Sequence, residues 1–123
     1  MQILKKISLV ILVAGYFIAG VNHFYNPQSY YHIIPSYLPF PVVLNILAGF
    51  FEILFAIMLM WTKMRRVASY GIILLLIVFL PIHITMLFNA PLMLGNLHVS
   101  PTLAWIRLLF QPVLMIWAWW HRR

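Results

Sequence analysis

The residues from Val42 to Trp61, VVLNILAGFFEILFAIMLMW, form an apolar run of twenty with one acid near its middle, and that residue, Glu52, is the only Asp or Glu in the chain. Twenty apolar residues are the length an α-helix needs to cross a bilayer. An ionisable group at membrane depth is costly, so it faces neighbouring helices or a wet cavity and has a partner. On a 3.6-residue helix, Asn45, Ala48, Gly49 and Ala56 share the face of Glu52. The run therefore predicts one polar, small-residue stripe for close helix packing, with Leu, Ile, Phe and Met left for lipid.

Three further apolar runs complete a set of four helices at about 7–24, 42–61, 67–88 and 103–120. The chain has 123 residues, 65% of them apolar and 7% charged. Its length is that of one domain, and its composition lies outside the globular range and inside the membrane class. The first run follows a basic start, as a signal peptide would. It is long, no A-x-A site follows it, and it ends in Asn22 and His23, so it is read as a retained helix. Gly15 and Ala19 on this helix form a small-xxx-small pair suited to a close helix contact.

The formal charge of +7 does not mark a nucleic-acid binder. Lys5 and Lys6, then Lys63, Arg65 and Arg66, then Arg122 and Arg123 each sit at the end of an apolar run. That is where cytoplasmic charge belongs in a membrane protein, whereas a nucleic-acid binder gathers its charge on one soluble face. Both termini are thus expected in the cytoplasm, with loops at about 25–41 and 89–102 outside, and seven of the eight Lys and Arg residues obey this arrangement. The first outer loop is rich in Tyr and Pro, with a short helical piece expected around 28–34; the second again lacks basic residues and contains Pro91, Gly95 and Pro101. The chain has no cysteine, which excludes disulfides, thiolate metal sites and dithiol exchange by this chain alone.

The polar residues left inside the apolar runs are unevenly placed. Counted from the outer end of each helix, Arg107 lies roughly 6 Å deep, His83 roughly 8 Å, Gln111 roughly 12 Å and Glu52 roughly 15 Å, while His23 stays near the surface. All fall in the outer half, as expected of a pocket open to that side. Arg107 and Gln111 share a helix face. Arg107 needs a counter-charge and Glu52 is the only acid, so a Glu52–Arg107 pair is expected, direct or through Gln111 or a water. Pro81 and Pro112 free the carbonyls of Ile77 and Leu108 for other donors. A His23–His83–Glu52 metal site is disfavoured, because Arg107 would compete for the acid and repel a cation. Structural readings stand beside these: the polar pair as a register-setting contact, the histidines as caps on backbone groups.

In order along the chain stand Asn22-His23-Phe24, Pro35-Ser36-Tyr37-Leu38-Pro39, Gly49-x-x-Glu52, Pro81-x-His83 and Arg107-x-x-x-Gln111. This ordered set resembles the DoxX-like family of small four-helix bacterial membrane proteins, the DoxX and DoxD group. The resemblance implies an all-α integral membrane four-helix bundle in the bacterial inner membrane and an association with redox chemistry, one member being a membrane subunit of a thiosulfate:quinone oxidoreductase. It carries the family's polar positions onto Asn22, Glu52, His83, Arg107 and Gln111. The third-helix position is often Asn in that family, so His83 is a departure.

Two functional expectations follow. One is a redox-associated subunit binding a small lipophilic ligand such as a quinone through Asn22, His23, Glu52, His83, Arg107 and Gln111. The other is a non-enzymatic scaffold for a partner protein. No metal is expected and no cofactor motif is evident. Whether the chain is an enzyme stays open, with independent catalysis disfavoured. The partners expected are the lipid bilayer and, by resemblance, a soluble redox protein or another membrane subunit, not nucleic acid; an oligomer stays open. Transport is less attractive, since no polar path continues through the inner half.

Overall fold

The computed structural model describes residues 2–31, 34, 37–94 and 97–123. It is all-α apart from a small strand pair. The elements are α1 (Gln2–Tyr25), α2 (Pro27–Tyr31), α3 (Pro41–Met58), α4 (Arg65–Asn89), β1 (Leu92–Leu94), β2 (Leu97–Val99) and α5 (Pro101–Trp120). The helices α1, α3, α4 and α5 are each long and apolar enough to cross a membrane.

Local chemistry accounts for the ends. α3 and α5 both open with Pro in the first turn, where its missing N–H is not needed. Ser100 caps α5 by accepting from the Leu103 amide at 3.2 Å. α1 starts at Gln2, earlier than the apolar run suggests, because nothing in Gln2 to Lys6 breaks a helix and Lys is a good helix former. α3 stops at Met58, short of Trp61, and a tight turn follows in which Arg65 Nε donates to Leu59 O at 2.9 Å. The short helix expected around 28–34 is α2; its last expected turn, and Pro35 and Ser36 of the loop motif, lie outside the described residues. Within the second loop, strands β1 and β2 pair antiparallel, with Met93 opposite His98, so that two extended triplets satisfy their backbone groups on each other.

α1 packs antiparallel on α3, α4 packs antiparallel on α5, and the two pairs join mainly through α3 and α4. One core cluster, Leu12, Leu59, Ala68, Ile72, Leu76 and Ala118, brings all four long helices together toward the end where Gln2 and Arg123 lie, here the terminal end. A smaller one, Met86, Val99 and Ala104, seats the ribbon at the opposite, ribbon end. The inside is small or polar: α3 buries Asn45, Ala48, Gly49, Glu52 and Ala56, the stripe expected from its sequence. The outside is large and apolar, with Val10, Ile18, Leu74, Val78, Leu109 and Ile116 more than half exposed. Such a surface suits hydrocarbon and not water.

The α1–α3 contact is made by Gly20 and Gly49. A Cβ on Gly20 would lie 2.8 Å from Gly49 O, and one on Gly49 would lie 3.0 Å from Gly20 O and 2.8 Å from the Cβ of His23. Gly15, expected in this role with Ala19, faces open space, and a Cβ there would meet nothing within 4 Å. The contact lies one turn further on because Gly20, not Gly15, shares the α1 face of His23.

At the terminal end, Trp117 Nε1 donates to Ser8 Oγ at 2.7 Å, and Ser8 Oγ meets His121 Nε2 at 2.9 Å, tying α5 to α1. Burial, then the charges of Lys5 and Arg65, hold the His121 imidazole below its ordinary pKa of 6.5.

Two outcomes follow for thermal unfolding in detergent. Gly49→Ala and Gly20→Ala each overpack backbone against backbone and cost about 1 to 3 kcal/mol. Gly15→Ala gains about 0.5 to 1 kcal/mol from helix propensity. Equal responses at Gly15 and Gly49 would contradict the contact. For His121, a depressed folded pKa means its contribution is complete above the ordinary imidazole value and is lost as pH falls through the folded one. Protonation there adds a charge beside Lys5, Lys6, Arg65 and Arg123. The wild type should lose stability on acidification more than His121→Asn does, in the mildly acid range.

Candidate functional site

The close α1–α3 crossing sets two polar faces against each other. His23, one turn after Gly20, meets Asn45, one turn before Gly49. Asn45 Nδ2 donates to His23 O at 2.8 Å, and His23 Nδ1 donates to Asn45 Oδ1 at 2.8 Å. Both residues are buried. With Nδ1 committed as a donor, His23 Nε2 faces Glu52 Oε2 at 3.3 Å, both side chains being less than a tenth exposed. This separation exceeds that of a good charge-assisted hydrogen bond, and Glu52 Oε2 has no hydrogen-bond partner. The only basic side chain within 4 Å of Glu52 among the described residues is therefore this imidazole.

α2 folds over this pair. The Tyr30 ring stacks on His23, with centroids 3.8 Å apart and planes at 23°. Asn22 Nδ2 donates to the Tyr30 hydroxyl at 2.7 Å, and Asn26 Nδ2 donates to Asn22 Oδ1 at 2.9 Å. Burial, with a smaller push from Glu52, holds the Tyr30 phenol above its ordinary pKa, so it keeps its proton at neutral pH.

The second group lies on α4 and α5. Arg107 Nη1 donates to Gln111 Oε1 at 2.8 Å, and Gln111 Nε2 donates to Leu76 O at 2.8 Å. Gln111, fully buried, thus fixes both Arg107 and the α4–α5 register. The carbonyl it takes is that of Leu76, one residue before Ile77, which was expected to be freed by Pro81. Thr85 Oγ1 donates to Pro81 O one turn further along α4. His83 is half-buried, and its Nδ1 is buried without a partner.

The direct form of the Glu52–Arg107 pair expected from the sequence is not what the structure shows: the basic group against Glu52 is His23, and Arg107 is held by Gln111. α1 packs on α3 and presents His23 to Glu52 directly, whereas Arg107 sits on the α5 side that faces α4. The charges of Glu52 and Arg107 still reach each other, and both reach Tyr16 on α1, while that of Arg107 also reaches His83. Asn22, His23 and Glu52 are thus joined in one network, and Arg107 and Gln111 in another; His83 bonds to neither. Sequence reasoning missed Asn45, Tyr30 and Tyr16 as members. Tyr16 precedes His23 by seven residues and so shares its helix face, which was the available signal. Among the described residues no three His, Cys, Asp or Glu side chains converge as a metal site.

The chain belongs to the family described as a domain of unknown function, DUF8561, whose model matches residues 12–122. No curated protein and no solved structure matches it.

Double-mutant cycles on thermal or denaturant stability separate the two pairings. Glu52→Gln and His23→Gln should each cost on the order of 3 kcal/mol, since each strands a buried partner, and together they should depart from additivity by about 1 kcal/mol or more. Glu52→Gln with Arg107→Gln should lie closer to additive. The reverse ranking would restore the Glu52–Arg107 pair.

Proposed function

We propose that the protein spans a bacterial inner membrane four times, with both termini in the cytoplasm, and that its ribbon-end polar cluster binds a small lipophilic molecule bearing carbonyl oxygens, a quinone being the class that fits best, as the membrane subunit of a redox partner. The observation that carries this reading is that two of the three buried side-chain atoms without hydrogen-bond partners among the described residues, Glu52 Oε2 and His83 Nδ1, belong to the group of polar residues that includes Arg107, the third being Ser69 Oγ nearer the terminal end. Unsatisfied buried groups are rare, and they mark where a ligand or water completes the set. The ordered motif resemblance to the DoxX-like family supports the redox setting. The unbroken basic clusters at one end and their absence from the loops at the other support the orientation.

A quinone bound there would take up or release two electrons, exchanged with the partner protein, and two protons, one through the His23–Glu52 pair and one through His83 or solvent at the ribbon end. The chain's own residues divide the rest. Arg107, oriented by Gln111, donates to a carbonyl oxygen and favours negative charge developing on it. His83 Nδ1 offers a second donor or acceptor. The His23–Glu52 pair takes or gives one proton without separating charge far from the site, and the neutral Tyr30 shields it from the surface.

A second reading has its own observation. His23–Asn45 ties α1 to α3, and Gln111–Leu76 ties α4 to α5, so the polar groups also fix helix register, as in a scaffold for another protein.

Binding of a short-chain benzoquinone to purified protein separates these. Wild type should bind saturably, and His83→Leu and Arg107→Gln should each lose about tenfold or more, on the order of 1.4 kcal/mol, while melting within a few degrees of wild type. Absence of binding by folded wild type leaves the scaffold reading. Because the chain has no cysteine, single cysteines at Tyr37, Asn89 and Lys63 test the orientation. The first two should react with an impermeant reagent in intact cells and the third only after lysis.

A further inference from the structure

The opposite, terminal end of the bundle holds a cleft of about 190 Å³ into which four basic side chains converge from three segments: Lys5 and Lys6 of α1, Arg65 at the start of α4 and Arg123 after α5, with the buried His121 in its wall. Charges spread around a membrane protein's cytoplasmic rim need no ligand, but these share one concavity. No Asp or Glu side chain stands among them, because the single one in the sequence, Glu52, faces His23.

The surrounding geometry also favours an anion. Arg65 spends its Nε on Leu59 O, which fixes the guanidinium plane and leaves its terminal amino groups for another acceptor. The start of α4 has no side-chain cap, and neither α1 nor α4 has an acid in its first turn, so two helix ends of partial positive charge lie at the cleft. The negative end of α5 is screened: Arg122 Nη1 donates to Trp119 O at 3.0 Å, and its guanidinium lies 3.7 Å from the Trp119 ring centroid. Lys5 Nζ is 5.5 Å from the Trp120 ring centroid, which holds it near the cleft.

We infer that this cleft is a binding site for a phosphate group, supplied by the headgroup of an anionic lipid. The lipid source rests on the membrane reading above but not on the quinone site. Trp119 and Trp120, both more than 40% exposed beside the cleft, are residues that sit at headgroup level, where lipid phosphates lie.

The test uses the full chain in nanodiscs of phosphatidylcholine, with and without phosphatidylglycerol, and in detergent titrated with inorganic phosphate. The readouts are retained lipid by native mass spectrometry and melting temperature. Wild type should retain phosphatidylglycerol in preference to phosphatidylcholine and melt higher with it. Lys5→Gln with Lys6→Gln should weaken retention about tenfold, and Arg123→Gln, at an exposed terminus, should weaken it while leaving the lipid-free melting temperature unchanged. Lys63→Gln with Arg66→Gln, which removes the same charge outside the cleft, should leave retention intact. Equal loss from the two double variants would overturn the site, leaving only a diffuse surface potential. No preference for the anionic lipid in folded wild type would overturn it as well. Stabilisation by millimolar inorganic phosphate with no lipid preference would reject the lipid and assign the cleft to a free phosphate compound. Failure of quinone binding touches none of these outcomes.

Discussion

The backbone approach of α1 and α3 at Gly20 and Gly49 is the constraint from which the rest of the ribbon-end half follows. With each glycine's missing Cβ replaced by the other helix's carbonyl, His23 is carried deep enough to exchange two hydrogen bonds with Asn45 and to reach Glu52. A bulkier contact would separate these helices and leave three polar side chains unpaired among apolar ones, each lost hydrogen bond costing about 1 to 3 kcal/mol. Small residues here serve the polar groups, and the polar groups in turn hold the crossing. Neither is stable alone at this depth.

The two halves of the bundle are built differently. At the terminal end, Leu12, Leu59, Ile72 and Leu76 make an ordinary apolar core shared by four helices. At the ribbon end, side-chain hydrogen bonds work within helix pairs, α1 with α3 and α4 with α5. The apolar cluster that joins all four long helices thus lies toward the terminal end, while the side-chain hydrogen bonds between helices nearer the ribbon end tie each pair within itself.

The fold was legible because each long helix carries its own signal of length and composition, and the buried stripe of α3 could be read from one acid with small residues on its face. Depth was legible in part: Arg107 and His83 stand toward the ribbon end of α5 and α4, whereas Gln111 and Glu52 stand about the middle of their helices, Gln111 bonding to Leu76 of the terminal-end core. What depth counting lacks is which helix stands beside which. Arg107 was matched to Glu52 as the only acid, while the neighbour across the glycine crossing was His23. The wrong glycine on α1 was chosen for the same reason, since Gly15 and Gly20 are equally small and only the partner helix distinguishes them. The ribbon had a signal that went unused, a Gly-Asn dipeptide between two short triplets, Leu92 to Leu94 and Leu97 to Val99, that are apolar but for His98.

The unequal lengths of the four helices bear on the membrane itself. At 1.5 Å per residue, α3 rises about 27 Å, whereas α1 and α4 rise about 36 and 38 Å. A hydrocarbon layer about 30 Å thick is longer than the first and shorter than the other two. On the membrane reading proposed above, the mismatch is met by lipid or flanking residues adjusting beside the exposed Val43, Ile46 and Phe50 of α3, and by α1 and α4 tilting or projecting. The shortest helix is the one that carries Glu52 and Gly49, so on that reading a thicker bilayer would act first on the polar centre.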